Sequence, residues 1–190
     1  LGLLLARRAW TKEGWTDYRG RRRYDRFGDR LRKLGVGLLV HDVGKLAVPP
    51  EVLNKPARLT DAEMDVMRTH PEAGVELLRA ADLSPLTLSV IRDHHERPDG
   101  SGYPSGLKGT AIHEFARFAA VADVYDAVTS KRVYSGAVQP HVGVNIIRQG
   151  AGTQFCTNVV RHFRAVVMPY PVGHDVVLPD GRRGVVAAVD

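Results

Sequence analysis

The sequence predicts an all-α fold, a helical bundle with a small β-hairpin appended at its C-terminal end. Apolar residues recur at helical spacings of three and four through most of the chain. Capping residues or prolines stand where several of these segments begin. Alternating apolar residues, which are typical of strands, appear together only after residue 171.

The predicted helices occupy the first 168 residues. One of them leads into the dipeptide His41–Asp42, and its apolar positions are Leu31, Leu34, Leu38 and Leu39. Thr60 and Glu63 have the spacing of a capping box and begin a second helix. Pro71 suits the first position of a third, and Ser84 followed by Pro85 begins a fourth, which runs to His94 and His95. Further helices are predicted over residues 113–132, 140–149 and 157–167, and Thr157 is expected to cap the last.

Residues 98–109 are predicted to form a loop, because they contain four glycines and two prolines. In the helix that follows, Ala119, Ala122, Asp123 and Asp126 fall on one face. Residues 172–178 and 184–190 read as two strands of a hairpin. We therefore expect a helical domain over 1–168 and a β appendage over 169–190. Since the first residue is Leu, we expect an upstream part to be missing and the first helix to be truncated. We also expect the chain to cut the appendage short.

The composition is that of a globular protein, with 44% hydrophobic and 25% charged residues. A single cysteine, Cys156, excludes an internal disulfide and is consistent with a reducing compartment. No apolar run approaches the roughly 18–20 residues that cross a bilayer. The expected location is the cytoplasm.

The net charge of +6 comes from one segment, residues 19–34, which holds eight basic and two acidic side chains. Such a segment can bind an anionic partner such as nucleic acid, a membrane surface or an acidic ligand. It can equally be a solvated surface, with Asp25 and Asp29 interspersed. No aromatic ladder or nucleic-acid motif accompanies the charge, so DNA is not an expected partner.

Several side chains that bind metal ions stand near predicted helix ends. They are His41, Asp42, His70, His94, His95 and Asp123. Glu96 is a further potential metal or proton ligand beside the paired histidines. A helical bundle can point such positions at one centre. Four imidazoles with two carboxylates suit iron, manganese, zinc or cobalt better than magnesium or calcium.

The paired histidines favour two metal ions over one. Adjacent helical residues point about 100° apart, so His94 and His95 cannot easily share one ion. Asp42, with two oxygens, could bridge a pair of ions, and such pairs clamp the attacking and leaving oxygens of a phosphoryl displacement. Lys45 could place a cation where a phosphate oxygen develops charge. Taken singly, each residue also has an ordinary structural explanation, such as a helix end or a solvated face.

The motifs that carry this set resemble the HD-GYP family, a branch of the HD metal-dependent phosphohydrolases. The matching stretches are LLVHDVGKLAVPPEVLNKPARLTDAE, HPEAGVELL, DHHERPDGSGYPSGLKG, ARFAAVADVYDAVTSKRVY and GAGTQF. They run from about residue 38 to residue 155 in the family's order and spacing. The joint occurrence of HDVGK, HHE and DGSGYP is far more specific than any one of them.

The resemblance implies an HD-type helical bundle with two or three divalent metal ions, expected to be iron or manganese. It implies hydrolysis of cyclic di-GMP, or of a related cyclic dinucleotide, to pGpG or GMP. By position, the metal ligands are His41, Asp42, His70, His94, His95 and Asp123, with Asp42 bridging. Lys45 and Asp42 are the expected catalytic residues, and Arg132, Tyr103 and Gly102 the expected substrate contacts. Diguanylate-cyclase-type or other regulatory domains and a second copy of the chain are candidate partners.

The chain also departs from the family pattern. It has no histidine before His41, where the family has a further ligand on its first helix. The basic segment is longer than the family's usual connection, and Ser135 replaces a second basic residue. Two alternatives to the enzyme therefore stay open, a catalytically degenerate sensor or interaction module and an HD hydrolase of another phosphoester. The missing histidine and Ser135 favour the first slightly, whereas the intact HD and HHE motifs, Asp123 and Lys45 oppose it. The intact DGSGYP loop opposes the second.

Overall fold

The protein is described by a computed structural model that covers residues 1–17, 19–25, 27–130 and 138–188. These residues are mostly helical, as predicted. The helices are α1 (Gly2–Glu13), α2 (Phe27–Val40), α3 (Pro50–Leu53), α4 (Asp61–Met67), α5 (His70–Leu77), α6 (Pro85–Asp93), α7 (Glu114–Thr129), α8 (Pro140–Gln149) and α9 (Thr157–Arg164). The strands are β1 (Trp15–Thr16), β2 (Arg22–Arg23), β3 (Asp175–Val177) and β4 (Arg183–Val185).

Helix starts follow the predicted signals, with one exception. The Thr60 side chain accepts from the Glu63 backbone N–H while the Glu63 side chain accepts from the Thr60 N–H, which confirms the capping box at α4. The Ser84 side chain caps α6 by accepting from the Thr87 backbone N–H. The expectation that Thr157 caps α9 is wrong, because Thr157 is already the first helical residue and Cys156 occupies the cap without a side-chain hydrogen bond.

The core lies between α1, α2, α6, α7, α8 and α9. Its largest fully buried side chains include Trp10, Phe115, Phe155 and Phe163. Leu34 of α2 is fully buried, but Leu39 is 86% exposed, since α2 turns only one face inward. Gly37 allows α2 to approach α6 closely, because a β-carbon there would lie 2.8 Å from the Val90 side chain. This crossing brings the C-terminal ends of α2 and α6 together.

A second close crossing joins the short 3-10 helix Val43–Ala47 to α5. A β-carbon on Gly44 would lie 1.8 Å from the carbonyl oxygen of His70 and 2.5 Å from the backbone nitrogen of Gly74. Only glycine fits this contact. It holds the turn that carries Asp42 against the first residue of α5.

Part of the basic segment forms a small antiparallel hairpin that the sequence did not predict. Trp15 pairs with Arg23, and Thr16 with Arg22. Many of the basic side chains have acidic partners: Asp17 contacts Arg21 at 3.0 Å, Asp25 contacts Arg23 at 2.8 Å, and Asp29 contacts Arg32 and Lys33. These pairs favour the solvated-surface interpretation of the segment over a dedicated anion site.

The C-terminal appendage is an antiparallel hairpin in which Asp175 pairs with Val185 and Val177 with Arg183. It confirms the predicted β-hairpin, with strands shorter than predicted. The division into domains at residue 168 stays a prediction. No helix among the described residues is long and apolar enough to cross a bilayer.

Candidate metal centre

The six predicted ligands come from four parts of the chain and meet in one cluster. The turn after α2 carries His41 and Asp42, and α5 begins with His70. His94 and His95 directly follow α6, and Asp123 lies within α7. Their ligand atoms form two overlapping groups: Asp42 with His70, His94 and His95, and Asp42 with His41 and Asp123. The prediction that His94 and His95 cannot easily share one ion is therefore wrong, because both follow the last residue of α6 and each places a ligand atom in the first group. Within each group the atoms lie within 4.8 Å of one another.

Asp42 belongs to both groups because its two oxygens face different partners. Oδ1 lies 3.4 Å from His70 Nε2 and 3.8 Å from His94 Nε2. Oδ2 lies 3.5 Å from His41 Nε2. His41 Nε2 in turn lies 3.6 Å from Asp123 Oδ1. A single carboxylate therefore stands between two sets of donors, as a bridging ligand must.

Backbone carbonyls fix the tautomers of three histidines. His41 Nδ1 lies 2.8 Å from the Leu38 carbonyl oxygen, and His70 Nδ1 lies 2.8 Å from that of Met67. His94 Nδ1 is 3.0 Å from the carbonyl oxygens of both Val90 and Ile91. Since a carbonyl can only accept, each Nδ1 carries a proton, so in the neutral ring it is Nε2 that presents a lone pair to the centre.

The environment keeps His94 and His95 neutral. Burial lowers the pKa of His94 to about 4, and the charge of His41 acts in the same direction. Burial also lowers the pKa of His95 to about 3, with His94 and His70 contributing. Metal binding requires neutral imidazoles. These two side chains therefore meet that requirement at neutral pH without losing a proton.

The groups on the other side of Asp42 favour their charged forms. Burial acts to raise the pKa of Asp42, but the neighbouring His70 and Lys45 outweigh it and hold that pKa well below its ordinary value. Burial likewise acts to raise the pKa of Asp123, but His41 lowers it. The pKa of His41 is raised, because the carboxylates of Asp123 and Asp42 outweigh its burial. Both carboxylates are ionised and can serve as ligands.

Two atoms of the cluster have no hydrogen bond within the part of the chain that the structure describes. His41 Nε2 and Asp42 Oδ1 are buried, yet neither has a partner in good geometry. Burying such atoms without a partner is costly. A divalent cation would satisfy both of them, so the residues present fit a metal ion.

Lys45 is hydrogen-bonded to this cluster. Its Nζ donates to Asp42 Oδ2 at 2.6 Å, and both side chains remain about one-third exposed. The lysine therefore holds the carboxylate from the solvent side. It also places a cation beside the cluster, and its predicted role in stabilising phosphate charge stays a prediction.

The predicted substrate-binding residues are placed differently from one another. Tyr103 is half-buried and stacks on His95, with ring centroids 4.8 Å apart and an interplanar angle of 23°. Gly102 packs against backbone, because a β-carbon there would lie 2.4 Å from the Arg97 nitrogen. Arg132, like Ser135, lies outside the described residues. A substrate-binding role for these residues stays a prediction.

Glu96 does not join the cluster, contrary to the interpretation of it as a ligand. It is only 2% exposed, and its two carboxylate oxygens accept the backbone N–H groups of Ser105 at 2.6 Å and Leu107 at 2.9 Å. One sequence feature indicates this use, the glycine- and proline-rich loop that follows. Such a loop leaves backbone donors that need an acceptor.

Comparisons with known proteins identify the family of this chain. Residues 25–159 match the HD domain family. A cyclic di-GMP phosphodiesterase of Pseudomonas aeruginosa is 44% identical over 157 residues, which cover 82% of this chain and 38% of that protein. The 3'3'-cGAMP-specific phosphodiesterase 1 of Vibrio cholerae is 40% identical over 110 residues, which cover 58% of this chain and 26% of that protein.

A solved structure supports the fold. The crystal structure of a cyclic GMP-AMP specific phosphodiesterase of V. cholerae superposes with a TM-score of 0.58 at 17% identity, covering 87% of this chain and 42% of the other. The chain thus spans well under half the length of each of these relatives. The matches confirm the resemblance to the HD-GYP branch that the HDVGK, HHE and DGSGYP motifs predicted. The chain belongs to the HD domain family.

Proposed function

We propose that this chain is a metal-dependent phosphodiesterase that hydrolyses cyclic di-GMP to pGpG or GMP. The observation that carries the proposal is the Asp42 carboxylate, whose two oxygens face two separate sets of ligand atoms. The activities of these relatives, hydrolysis of cyclic di-GMP and of 3'3'-cGAMP, support a cyclic dinucleotide as substrate. The chain spans only 38% and 26% of those two proteins, so their activity is a proposal for this chain.

The six clustered side chains would hold two divalent ions, with Asp42 common to both sites. A mixed set of imidazoles and carboxylates suits iron or manganese. Such a pair of ions supplies Lewis-acid stabilisation of the attacking and leaving oxygens in a phosphoryl displacement. A third ion has no ligand set of its own among the described residues.

The chain's own residues prepare the site for this chemistry. His94 and His95 stay neutral at neutral pH and keep their lone pairs available, because burial lowers the pKa of each. Lys45 orients Asp42 through the 2.6 Å hydrogen bond. Its remaining N–H donors face the mouth of the cluster, where they would stabilise charge that develops on a phosphate oxygen. Asp42 and Lys45 are thus the proposed catalytic pair.

The substrate would enter beside the loop that contains Gly102 and Tyr103. Tyr103 keeps its proton at neutral pH, because burial raises the pKa of its phenol to about 12. The hydroxyl is therefore a donor that can reach a phosphate or a base. Arg97 is exposed beside the same loop, and Arg132 is the further cation that the family resemblance assigns to substrate phosphates.

The test is turnover by the purified chain, loaded anaerobically with Fe(II) or Mn(II) and followed by nucleotide chromatography. Substrates are cyclic di-GMP, 3'3'-cGAMP and linear pGpG. The expected result is hydrolysis of cyclic di-GMP that the double variant His41→Ala, Asp42→Ala loses. His174→Ala is the matched control, since His174 contacts Gln139 outside the cluster.

The substrate panel separates the competing functions. Faster turnover of 3'3'-cGAMP than of cyclic di-GMP would replace the substrate and keep the reaction class. Hydrolysis of pGpG alone would favour an HD hydrolase of another phosphoester. Bound metal at full stoichiometry with no turnover of any substrate would overturn the enzyme assignment and leave a sensor or interaction module.

A further inference from the structure

His95 differs from the other three histidines of the cluster in how its ring is held. His41, His70 and His94 each donate from Nδ1 to a backbone carbonyl, at distances of 2.8–3.0 Å. Within the described ranges, His95 has no hydrogen bond from either ring nitrogen to protein. Metal-binding histidines are ordinarily oriented by such a bond. Something else must therefore hold this imidazole.

The Tyr103 ring occupies the position from which it can do so. It stacks on His95 with the planes only 23° apart, whereas the neighbouring His94 and His70 rings meet His95 at 44° and 84°. The guanidinium of Arg68 lies over Tyr103, 5.9 Å from its ring centroid. Offset stacking of aromatic rings restricts their rotation and is favourable by about 0.5–1.5 kcal/mol.

The Tyr103 ring is held in turn by the backbone of its loop. The backbone N–H of Tyr103 donates to the His95 carbonyl oxygen at 3.3 Å. Gly102 packs on residues 95–97 so closely that a β-carbon would lie 2.6 Å from the same oxygen. The loop thus follows the backbone of the residue whose side chain it covers.

Glu96 binds the part of the loop that follows Tyr103. Its buried carboxylate accepts the N–H groups of Ser105 and Leu107, which lie two and four positions after Tyr103. Hydrogen bonds from backbone N–H groups to a carboxylate are charge-assisted and strong. The loop is thus hydrogen-bonded to the His95 backbone before its proline and to the Glu96 side chain after it.

We propose that Tyr103 and Glu96 are positioning residues for His95, with Glu96 fixing the loop and the Tyr103 ring fixing the imidazole. The inference rests on the proposed role of His95 as a metal ligand. It assigns to the tyrosine ring the task that backbone carbonyls perform for the other three histidines. The tyrosine hydroxyl plays no part in it.

The test is the affinity of the purified chain for Mn(II), measured by isothermal titration calorimetry and independent of any nucleotide. Tyr103→Leu removes the ring and should weaken Mn(II) binding by about 10–100-fold, the usual effect of losing an outer-shell partner of a ligand. Tyr103→Phe keeps the ring and should bind as the wild type does. Tyr170→Leu is the matched control, because Tyr170 stacks on His141 at 21° outside the cluster.

Glu96→Gln tests the loop half of the proposal. The amide replaces one acceptor by a donor that faces a backbone N–H, so the loop should loosen and Mn(II) binding should weaken. Combined with Tyr103→Leu, the loss should be smaller than the product of the two separate losses, because both act on one ring. If the two losses of Mn(II) affinity multiply in the double variant, Glu96 and Tyr103 act independently, and this half of the proposal is overturned.

A second measurement covers the case in which Tyr103→Leu lowers overall stability. The proton resonances of the His95 ring should have nearly the same shifts in the wild type and in Tyr103→Phe, and should move in Tyr103→Leu, which removes the Tyr103 ring current and leaves those of His94 and His70. Unchanged Mn(II) affinity in folded Tyr103→Leu would overturn the proposal, as would an equal loss in Tyr103→Phe. A wild type that binds Mn(II) but hydrolyses no nucleotide would overturn the proposed function alone.

Discussion

The α-carbon of Gly44 lies against the carbonyl oxygen of His70, with no room for a β-carbon between them. An ideal β-carbon on Gly44 would stand 1.8 Å from that oxygen. The obstacle is backbone rather than the end of a flexible side chain, so it cannot move aside cheaply. This contact sets the distance between Asp42 and His70, two of the clustered ligands.

Gly44→Ala is therefore expected to destabilise the protein strongly. Overpacking against backbone costs about 1–3 kcal/mol, and this site should reach the upper end. The free energy of unfolding is measured by urea denaturation. Gly35→Ala in α2 is the control, because its nearest neighbours would be Leu3 side-chain atoms at 3.7 Å, an ordinary contact. Equal stabilities of the two variants would contradict the prediction.

Lys45→Met should reduce turnover more than it weakens metal binding. The loss of a cation that stabilises developing charge lowers kcat by about 10²–10³-fold. The loss of the hydrogen bond that orients Asp42 should also weaken Mn(II) binding, by at most about 10–100-fold. Lys55→Met is a suitable comparison, since Lys55 pairs with Glu63 at the same 2.6 Å but outside the cluster. A Lys45 variant with normal kcat would remove the lysine from the mechanism.

Glu63 predicts a specific loss of stability in acid. The pKa of Glu63 is lowered to about 2 from its ordinary 4.5, because Lys55 and the Thr60 backbone N–H bind its carboxylate. A lowered carboxyl pKa stabilises the folded state above about pH 4.5, and that stabilisation disappears as the pH falls toward 2. Glu63→Gln should therefore destabilise the protein at pH 7 and much less at pH 3.

Urea denaturation of both proteins at the two pH values checks this. A stability difference that does not depend on pH would show that the carboxylate charge is not the cause. Glu76→Gln is the control, as its pair with Arg79 is largely exposed and should contribute little at either pH.

Arg30 should prove more important for stability than any other residue of the basic segment. It is 8% exposed, its guanidinium lies 4.1 Å from the Trp15 ring centroid, and it forms an ion pair with Glu114. Arg30→Met leaves Glu114 without its cation and should cost about 2–3 kcal/mol, less than a fully buried pair because Glu114 is partly solvated.

The comparison for Arg30 is Arg32→Met, whose side chain is 75% exposed beside Asp29. That substitution should change the free energy of unfolding by less than about 0.5 kcal/mol. Arg30→Lys should lie between the two, because an ammonium cannot stack on several rings as a guanidinium does. An unchanged free energy of unfolding in Arg30→Met would show that no basic residue of the segment, Arg30 included, contributes to stability.

The sequence allowed the helices to be predicted because their signals are local. A capping box or a run of apolar residues acts within a few positions, so Thr60 and Leu34 could be interpreted without knowing the fold. The hairpin of β1 and β2 could not, because two-residue strands are too short to show alternation. One strand residue, Trp15, contacts Arg30, which lies outside the hairpin, and no local pattern predicts that contact.

The candidate site shows the same division. The types and spacing of the ligands were visible, but their meeting depends on backbone crossings at Gly37 and Gly44 that no periodicity reveals. The sequence predicted Glu96 as a potential ligand, because a carboxylate beside two histidines has the chemistry of one. Only the path of the following loop shows that its oxygens serve Ser105 and Leu107.

The distribution of the cluster over distant parts of the chain links folding to ion concentration. Residues 41 and 123 are brought within contact only when α2, α5, α6 and α7 are packed, so an unfolded chain offers no comparable site. Any cation that binds here stabilises the folded state by mass action, by about 2.7 kcal/mol at a concentration one hundred times its Kd. The thermal midpoint of this protein should thus rise with free metal, and a chelator should lower it.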